Sequence, residues 1–341
     1  MNEFDLIARY FTRPLREQGK MGEHGIGDRG IGDDCAVLAA RPTELAITTD
    51  MLVEDAHFLA GTDPEAIGHK SLAVNLSDLA AAGAAPRAFF LALALPRAEP
   101  RWLEAFAKGL FALADQHQCR LLGGDTVRAP RWRGAGGPLT ISITALGDVD
   151  PGGAFGRGGA RPGDDIWVSG ELGDALVGLL IARGEAGATG ADAAHFRDRM
   201  ERPVPRVRLG LALRGLATSA IDVSDGFAGD LGHILERSGV GAEIDVAALP
   251  RSAALGRQPQ ALQRRALLAG GDDYELVFTA AAADRERIAA LAQAGGAGVA
   301  LARVGSIRTG RELILRDEHG ARLPVPAGFD HFVAGAEPTP T

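Results

Sequence analysis

The sequence predicts an α+β protein of two domains built on mixed sheets. Three observations carry this. The chain has 341 residues, 46% of them hydrophobic, enough for two cores of ordinary size. Helix-period and strand-period segments alternate without the regular strand–helix–strand rhythm of a doubly wound sheet. The run DPGGAFGRGGARPGDD (150–165) then interrupts the pattern with glycine and proline. It marks a boundary between a domain of residues 1–150 and one of residues 151–335.

In chain order, residues 3–18 read as an amphipathic helix, followed by the glycine-rich segment Gly19–Asp34. Leu45–Thr49 is a short strand, and Pro64–Ala82 a helix that Asp63 can cap. Ala88–Leu95 is a strand, Glu99–His117 a helix, Arg120–Gly123 a strand, and Leu139–Val149 a longer alternating strand. The second half opens with the strand Asp165–Ser169 and a helix from Asp174, then a flexible Gly/Ala-rich piece, Gly184–Ala194. A helix from Pro205, the strand Ala220–Val223, a helix after Gly226 and the strand Ala242–Asp245 follow. Tyr274–Thr279 is a strand, Asp284–Ala294 a helix, and Val299–Ser306 and Leu313–Arg316 are strands, before a frayed tail AGAEPTPT.

Composition narrows the function. The net charge of −8 argues against DNA or RNA as the main partner, since polyanion binders are usually basic. Two cysteines, Cys35 and Cys119, cannot build a disulfide framework or a cysteine zinc site and suit a reducing compartment. The N-terminus MNEFDLIARYF lacks the layout of a signal peptide. The most apolar stretch, Leu79–Pro96, is broken by Pro86–Arg87, so no membrane span is expected and the location reads as cytoplasmic.

One pattern recurs. Short apolar segments run into small residues and then aspartate: LAITTD ends at Asp50, AVNLSD at Asp78, CRLLGGD at Asp125, AIDVSD at Asp225, and LLAGGDD at Asp272 and Asp273. GIGDDCAV adds Asp33 and Asp34. If these segments are strands, their ends lie at the rim of the core. Carboxylates gathered there repel one another unless cations neutralise them. Mg²⁺, a hard ion that takes a few carboxylates together with substrate phosphates, suits such a set. The interspersed glycines would let backbone N–H groups approach phosphate oxygens. Any single aspartate of this kind is more often a turn or helix-cap residue; the repetition is what points to phosphate chemistry.

Other motifs fall away on context. Gly25-Ile-Gly27-Asp-Arg-Gly30 follows no strand, as a dinucleotide-binding turn must, and no P-loop lysine motif exists. Asp222-Val-Ser-Asp-Gly226 lacks the first glycine of a nucleophile elbow, and the eight histidines form no zinc spacing.

Read together, FDLIARYF (4–11), GIGDDCAV (30–37), AITTDMLVEDAHF (46–58), KSLAVNLSDLAAAGAAPRAFFLALALP (70–96), LLGGDT (121–126), GARPGD (159–164), IDVSDGFAGDLGHI (221–234), GGDDYEL (270–276) and GFDHF (328–332) resemble the thiamine-monophosphate kinase family. That family belongs to the superfamily of aminoimidazole ribonucleotide synthetase. The resemblance spans nearly the whole chain, and the order and spacing of the motifs carry more weight than any one of them. It implies a two-domain aminoimidazole ribonucleotide synthetase-like fold dimerising through its N-terminal domain. It also implies transfer of the ATP γ-phosphoryl to thiamine monophosphate with several Mg²⁺ ions. By motif match, Asp34, Thr48, Thr49, Asp50, Asp78, Asp125, Asp222 and Asp225 would be metal ligands. Gly124, Asp125, Arg157 and Ser224 would contact ATP, and His57, Asp272 and Phe329 the thiamine substrate, in a site drawing on both domains.

The chemistry is consistent with this set. The acceptor is already an anionic phosphate oxygen, so no general base is implied; positioning and charge neutralisation carry the transfer. Arg157 could stabilise transferring charge or be a solvated loop residue, and Phe329 could stack on a thiamine ring or anchor packing. Three departures stand out. The loop Gly19–Gly32 is longer than is usual in the family, Asp55 stands where the family often has Gly, and Asp272 replaces a common Glu. The rival readings are another ATP-dependent enzyme of the superfamily, or a non-catalytic nucleotide or metal sensor. Intact carboxylates at the matched positions disfavour the sensor.

Overall fold

The computed structural model describes residues 3–12, 31, 35–132, 135–293 and 298–326. Two units emerge, Met1–Leu79 with Ala84–Ala154, and Ala80–Gly83 with Phe155–Thr341.

In the first unit a short helix α1 (Glu3–Leu6) passes into a π-helical turn, Ile7–Phe11, and ends at an extended Thr12. Phe11 is buried edge-on to Phe106, with ring centroids 6.3 Å apart, which anchors this segment. The rest of the predicted helix 3–18 lies outside the described residues. Strand β1 (Glu44–Val53), helix α2 (Pro64–Ala81), β2 (Ala85–Leu95), α3 (Pro100–Gln116), β3 (Arg120–Arg128), the two-residue strands β4 (Arg131–Trp132) and β5 (Ala135–Gly136), and β6 (Thr140–Val149) follow. The main sheet has the order β1-β6-β2-β3, antiparallel except for the parallel pair β2–β3.

Two predicted strands are longer than expected, because pairing rather than composition sets their ends. β1 keeps its register with β6 from Glu44↔Val149 to Val53↔Thr140, which carries it beyond Asp50. β3 follows β2 as far as Leu95↔Arg128 and so includes Asp125. Helix α2 is buried nearly all round, and Lys70, Ser71, Asn75 and Ser77 are buried along with its apolar residues. It crosses α3 at backbone distance. A Cβ on Gly68 would lie 2.0 Å from the Phe106 carbonyl oxygen, and one on Gly109 1.9 Å from that of Glu65.

The second unit contains β7 (Asp164–Ser169), α4 (Asp174–Ala182), α5 (Gly190–Glu201), α6 (Val207–Ala212), β8 (Ala217–Asp222), α7 (Phe227–Ser238) and β9 (Gly241–Asp245). After these come α8 (Ala253–Gly256), α9 (Gln260–Ala269), β10 (Leu276–Ala281), α10 (Arg285–Gln293), β11 (Leu301–Arg308), β12 (Leu313–Arg316) and β13 (Arg322–Leu323). Its sheet runs β13-β12-β9-β11-β7-β10-β8, mixed through the parallel pair β12–β9. Phe196, Ile221, Phe227, Leu231 and Val277 belong to the core between sheet and helices. Helix α5 replaces the C-terminal part of the flexible piece expected at Gly184–Ala194. Its sequence GADAAHFRDRME buries only Phe196 and Met200, too sparse an apolar stripe to read as a helix. The short α8 and α9 were likewise not anticipated. Among the described residues, no helix is long and apolar enough to cross a membrane.

Candidate functional site

In β1, alternation sends Thr48, Asp50 and Leu52 to the face covered by α2, and Ile47, Thr49 and Met51 to the opposite face. On the covered face the Thr48 hydroxyl donates to the Asp78 carboxylate on α2. Asp50 Oδ2 is buried with no hydrogen-bond partner. Burial, and then the negative charge of Asp78, push the Asp50 carboxyl up to about 7. Asn75, one turn before Asp78 and 1% exposed, also keeps its Oδ1 buried without a partner. Thr48, Asp50 and Asp78 are thus brought together around unsatisfied oxygen.

Thr49 and Asp125 are not part of that group. The Thr49 hydroxyl bonds to the Ile143 carbonyl at 3.1 Å on the other face. Asp125 pairs with Ala92 and, through Ser142, shares a row with Met51, again on that open face. Gly124 precedes it on β3, at the sheet edge opposite β1. Three strand spacings, roughly 14 Å, separate the two edges within one chain.

His57 follows β1, where its Nδ1 accepts from the Val53 amide at 3.1 Å and its carbonyl accepts from Lys70 Nζ at 3.1 Å. Two residues earlier, Asp55 has φ 67°, the left-handed region that glycine occupies at least cost. Aspartate tolerates this conformation better than most residues, and here its carboxylate accepts from the Ala60 amide at 3.2 Å. The departure from the family's Gly therefore keeps the turn.

In the second unit Asp222 ends β8, and residues 223–226 form the loop into α7. This loop is laced to residues 272–275. The Val223 amide donates to the Glu275 carbonyl at 2.8 Å, the Tyr274 amide to the Val223 carbonyl at 2.9 Å, and the Asp272 amide to the Ser224 carbonyl at 2.9 Å. The approach leaves no room for side chains. A Cβ on Gly271 would lie 2.3 Å from the Ser224 carbonyl oxygen, and one on Gly226 (φ 111°) 2.8 Å from the Ala269 backbone. Asp272 (φ 66°) and Tyr274 (φ 51°) are both left-handed, held by the same lacing and by the Tyr274 hydroxyl donating to Asp272 at 3.1 Å. Ser224, Asp225 and Asp272 are therefore neighbours. Arg157 sits in the loop before β7 and lines a surface depression with His233, Glu236 and Arg237 of α7.

Asp34 and Phe329 lie outside the described residues. The expectation that the aspartates end apolar strands needs correction. Asp222 ends a strand, but Asp50 and Asp125 lie inside strands, Asp78 lies in a helix, and Asp225, Asp272 and Asp273 lie in loops. Paired strands continue for as long as a neighbour supplies hydrogen bonds, which local composition does not reveal.

Sequence reasoning missed three groups. Glu275 is fully buried yet bonded by Ser169 Oγ at 2.6 Å, Arg199 at 3.0 Å and Arg206 Nε at 2.6 Å. Asp230, in the first turn of α7, is buried and accepts from the loop amides of Ser224 and Asp225. Burial, and then the charge of Asp225, push its carboxyl up to about 7. Glu171, Asp174 and His195 gather potential ligand atoms within 4.8 Å of one another. Both Asp174 oxygens are already engaged, however, by Ser252 Oγ at 2.7 Å and His195 Nε2 at 2.7 Å. Asp230 carried the one available signal, an acid at the start of a predicted helix.

Residues 32–149 match the family described as AIR synthase related protein, N-terminal domain, and residues 161–318 its C-terminal domain. The thiamine-monophosphate kinase of Escherichia coli (strain K12) is 43% identical over 335 residues, 97% of this chain and 98% of the relative. A crystal structure of thiamine-monophosphate kinase from Stenotrophomonas maltophilia K279a is 48% identical, with TM-score 0.77 over 84% of this chain and 90% of that one. AaThiL complexed with AMPPCP and TMP is 30% identical, with TM-score 0.74 over 94% of this chain and 100% of that one. On its sequence, its mixed α+β fold and these matches, the chain belongs to the thiamine-monophosphate kinase family.

Proposed function

We propose that the protein transfers the γ-phosphoryl group of ATP directly, in line, to thiamine monophosphate, giving thiamine diphosphate and ADP, in a Mg²⁺-dependent reaction. The acceptor follows from family membership, and the AaThiL relative was crystallised with AMPPCP and TMP. The observation that carries metal dependence is the buried, partnerless Asp50 Oδ2 beside Asp78. A buried carboxylate oxygen left unbonded beside a second carboxylate is costly, and a hard divalent cation is the group that such an oxygen fits. Thr48 adds a neutral oxygen to the same donor set.

In this reading Asp50, Asp78, Thr48, Thr49, Asp125 and Asp34 of the first domain (1–150), and Asp222 and Asp225 of the second (151–335), hold several Mg²⁺ ions. When bound, these ions neutralise phosphate charge that would otherwise repel the acceptor. Gly124, Asp125, Arg157 and Ser224 bind and orient ATP. His57, Asp272 and Phe329 bind the thiamine substrate. No side chain needs to remove a proton, because the attacking phosphate oxygen is already ionised.

The open sheet face of the first unit also supports a homodimer. Leu45, Ile47 and Met51 are 44%, 62% and 57% exposed along β1, with Val127 on β3 at 51%. Apolar residues arrayed on one sheet face are the usual mark of an interface. ATP as donor and two free cysteines, Cys35 and Cys119, suit the cytoplasm. Incubation with ATP, Mg²⁺ and thiamine monophosphate should yield thiamine diphosphate. Turnover of a different phosphate acceptor with no thiamine diphosphate would overturn the substrate assignment.

A further inference from the structure

The groups proposed to meet nucleotide and metal in the second unit project from Asp222–Gly226, which leaves regular structure after Asp222. One side of this stretch is fixed by the 272–275 segment, which uses both backbone groups of Val223 and the carbonyl of Ser224. The next two amides, of Ser224 and Asp225, turn the other way. Both donate to one carboxylate oxygen, Asp230 Oδ2, each at 3.1 Å. Asp230 is 2% exposed and is rooted in α7, where its own amide donates to the Gly226 carbonyl at 3.0 Å. Burying a carboxylate is expensive, so an apolar residue would serve packing better. Successive amides converging on an anion form a concavity of the kind that binds phosphate. Here the protein fills that concavity with its own carboxylate.

We propose that Asp230 is a positioning residue that fixes the backbone presenting Asp222, Ser224 and Asp225, by occupying the two amides that would otherwise bind phosphate. Nucleotide is then met at this loop by side chains, with the amides withheld. What those side chains meet rests on the proposed kinase reaction; the anchoring itself does not.

The test compares wild type with Asp230→Ala, which removes the acceptor, and Asp230→Asn, which can return one oxygen to the same place. In metal-free protein, hydrogen exchange at the Ser224 and Asp225 amides should speed up by at least about tenfold in D230A, while the Val223 amide keeps its protection. D230N should stay within about threefold of wild type. Mn²⁺ affinity, read by EPR titration, should fall by about fivefold or more in D230A and recover in D230N. With ATP and thiamine monophosphate, kcat should fall about 20-fold in D230A with little change in KM for thiamine monophosphate. Unchanged exchange at both amides in D230A overturns the proposal, as does faster exchange with Mn²⁺ affinity and kcat both unchanged. Should D230A not fold, wild-type exchange decides: unprotected Ser224 and Asp225 amides overturn the anchoring, and slow exchange together with a wild-type-like D230N supports it. If wild type makes no thiamine diphosphate, the kinase reading fails, and exchange and Mn²⁺ binding still judge the positioning role.

Discussion

Asp50 sits in a paired strand with a buried oxygen that no hydrogen bond reaches, whereas Ser224 and Asp225 sit in a loop whose amides are bonded to Asp230. In the first unit a sheet and a buried helix set Asp50 and Asp78 in place. Regular structure satisfies its own backbone, so a side-chain oxygen can be left unsatisfied for a ligand. In the second unit Asp225 and Asp272 stand on irregular backbone, which must be held by other means. Interlocking glycines, left-handed residues and buried acids supply the hold. The first arrangement stores electrostatic cost, the second conformational cost.

Asp50→Asn breaks the comparison at its sharpest point. Turnover should fall on the order of 10⁴-fold, about 5 kcal/mol in barrier. Melting of the metal-free protein should be unchanged or raised, since an uncompensated buried charge is gone. An active Asp50→Asn protein would remove the metal role from this residue. Next, Glu275→Ala leaves Arg199 and Arg206 without their buried partner. The expected loss is about 3–5 kcal/mol of stability, seen by calorimetry as earlier unfolding of the second unit. A melt like wild type would show that the network is dispensable.

The pH dependence of the metal effect sharpens the electrostatic side. Burial and Asp78 raise the Asp50 pKa from its ordinary 3.8 to about 7. Between these values the unfolded chain gives up the proton first, so metal-free stability falls as pH rises from about 4 to about 7, by a few kcal/mol. Asp230 contributes with the same sign in the other unit. Metal binding requires the carboxylate form. The Mg²⁺-induced rise in melting temperature should therefore be larger at pH 8 than at pH 6, and Asp50→Asn should flatten that difference. Equal shifts at both pH values in wild type would contradict the assignment.

Gly271→Ala tests the conformational side. Its Cβ would need to displace the Ser224 carbonyl, costing about 1–3 kcal/mol and lowering turnover more than thermal stability alone explains. The smallest effect is expected at Asp55→Gly. Relief of a left-handed aspartate gains up to about 1 kcal/mol, offset by the lost bond to the Ala60 amide, so melting should move by only a degree or two. A large loss there would show that the Asp55 carboxylate has a role beyond the turn.

Much of the fold was legible. Alternation in Leu139–Val149 and the continuous apolar run of Ala88–Leu95 announced β6 and β2, and the helices over residues 64–82 and 99–117 matched α2 and α3 closely. Helix α5 was not legible, because its register depends on just two buried side chains. Of the site, the clustering of Thr48, Asp50 and Asp78 could not be read locally, since a strand and a helix 30 residues apart meet there. Glu275 was invisible for a related reason, and Asp230 showed only as an acid at the start of a predicted helix. A buried acid is recognisable by its partners, and Arg199, Arg206 and the loop amides become partners only after folding.

By itself the sequence determined the chain's class, its family and the kinds of residue available to phosphate chemistry, because order and spacing of motifs survive without coordinates. Tertiary structure decided which aspartates share a face, which oxygen is left unsatisfied and which acid serves the backbone. Those properties depend on strand register, burial and contacts between distant segments, and no local stretch of sequence contains them.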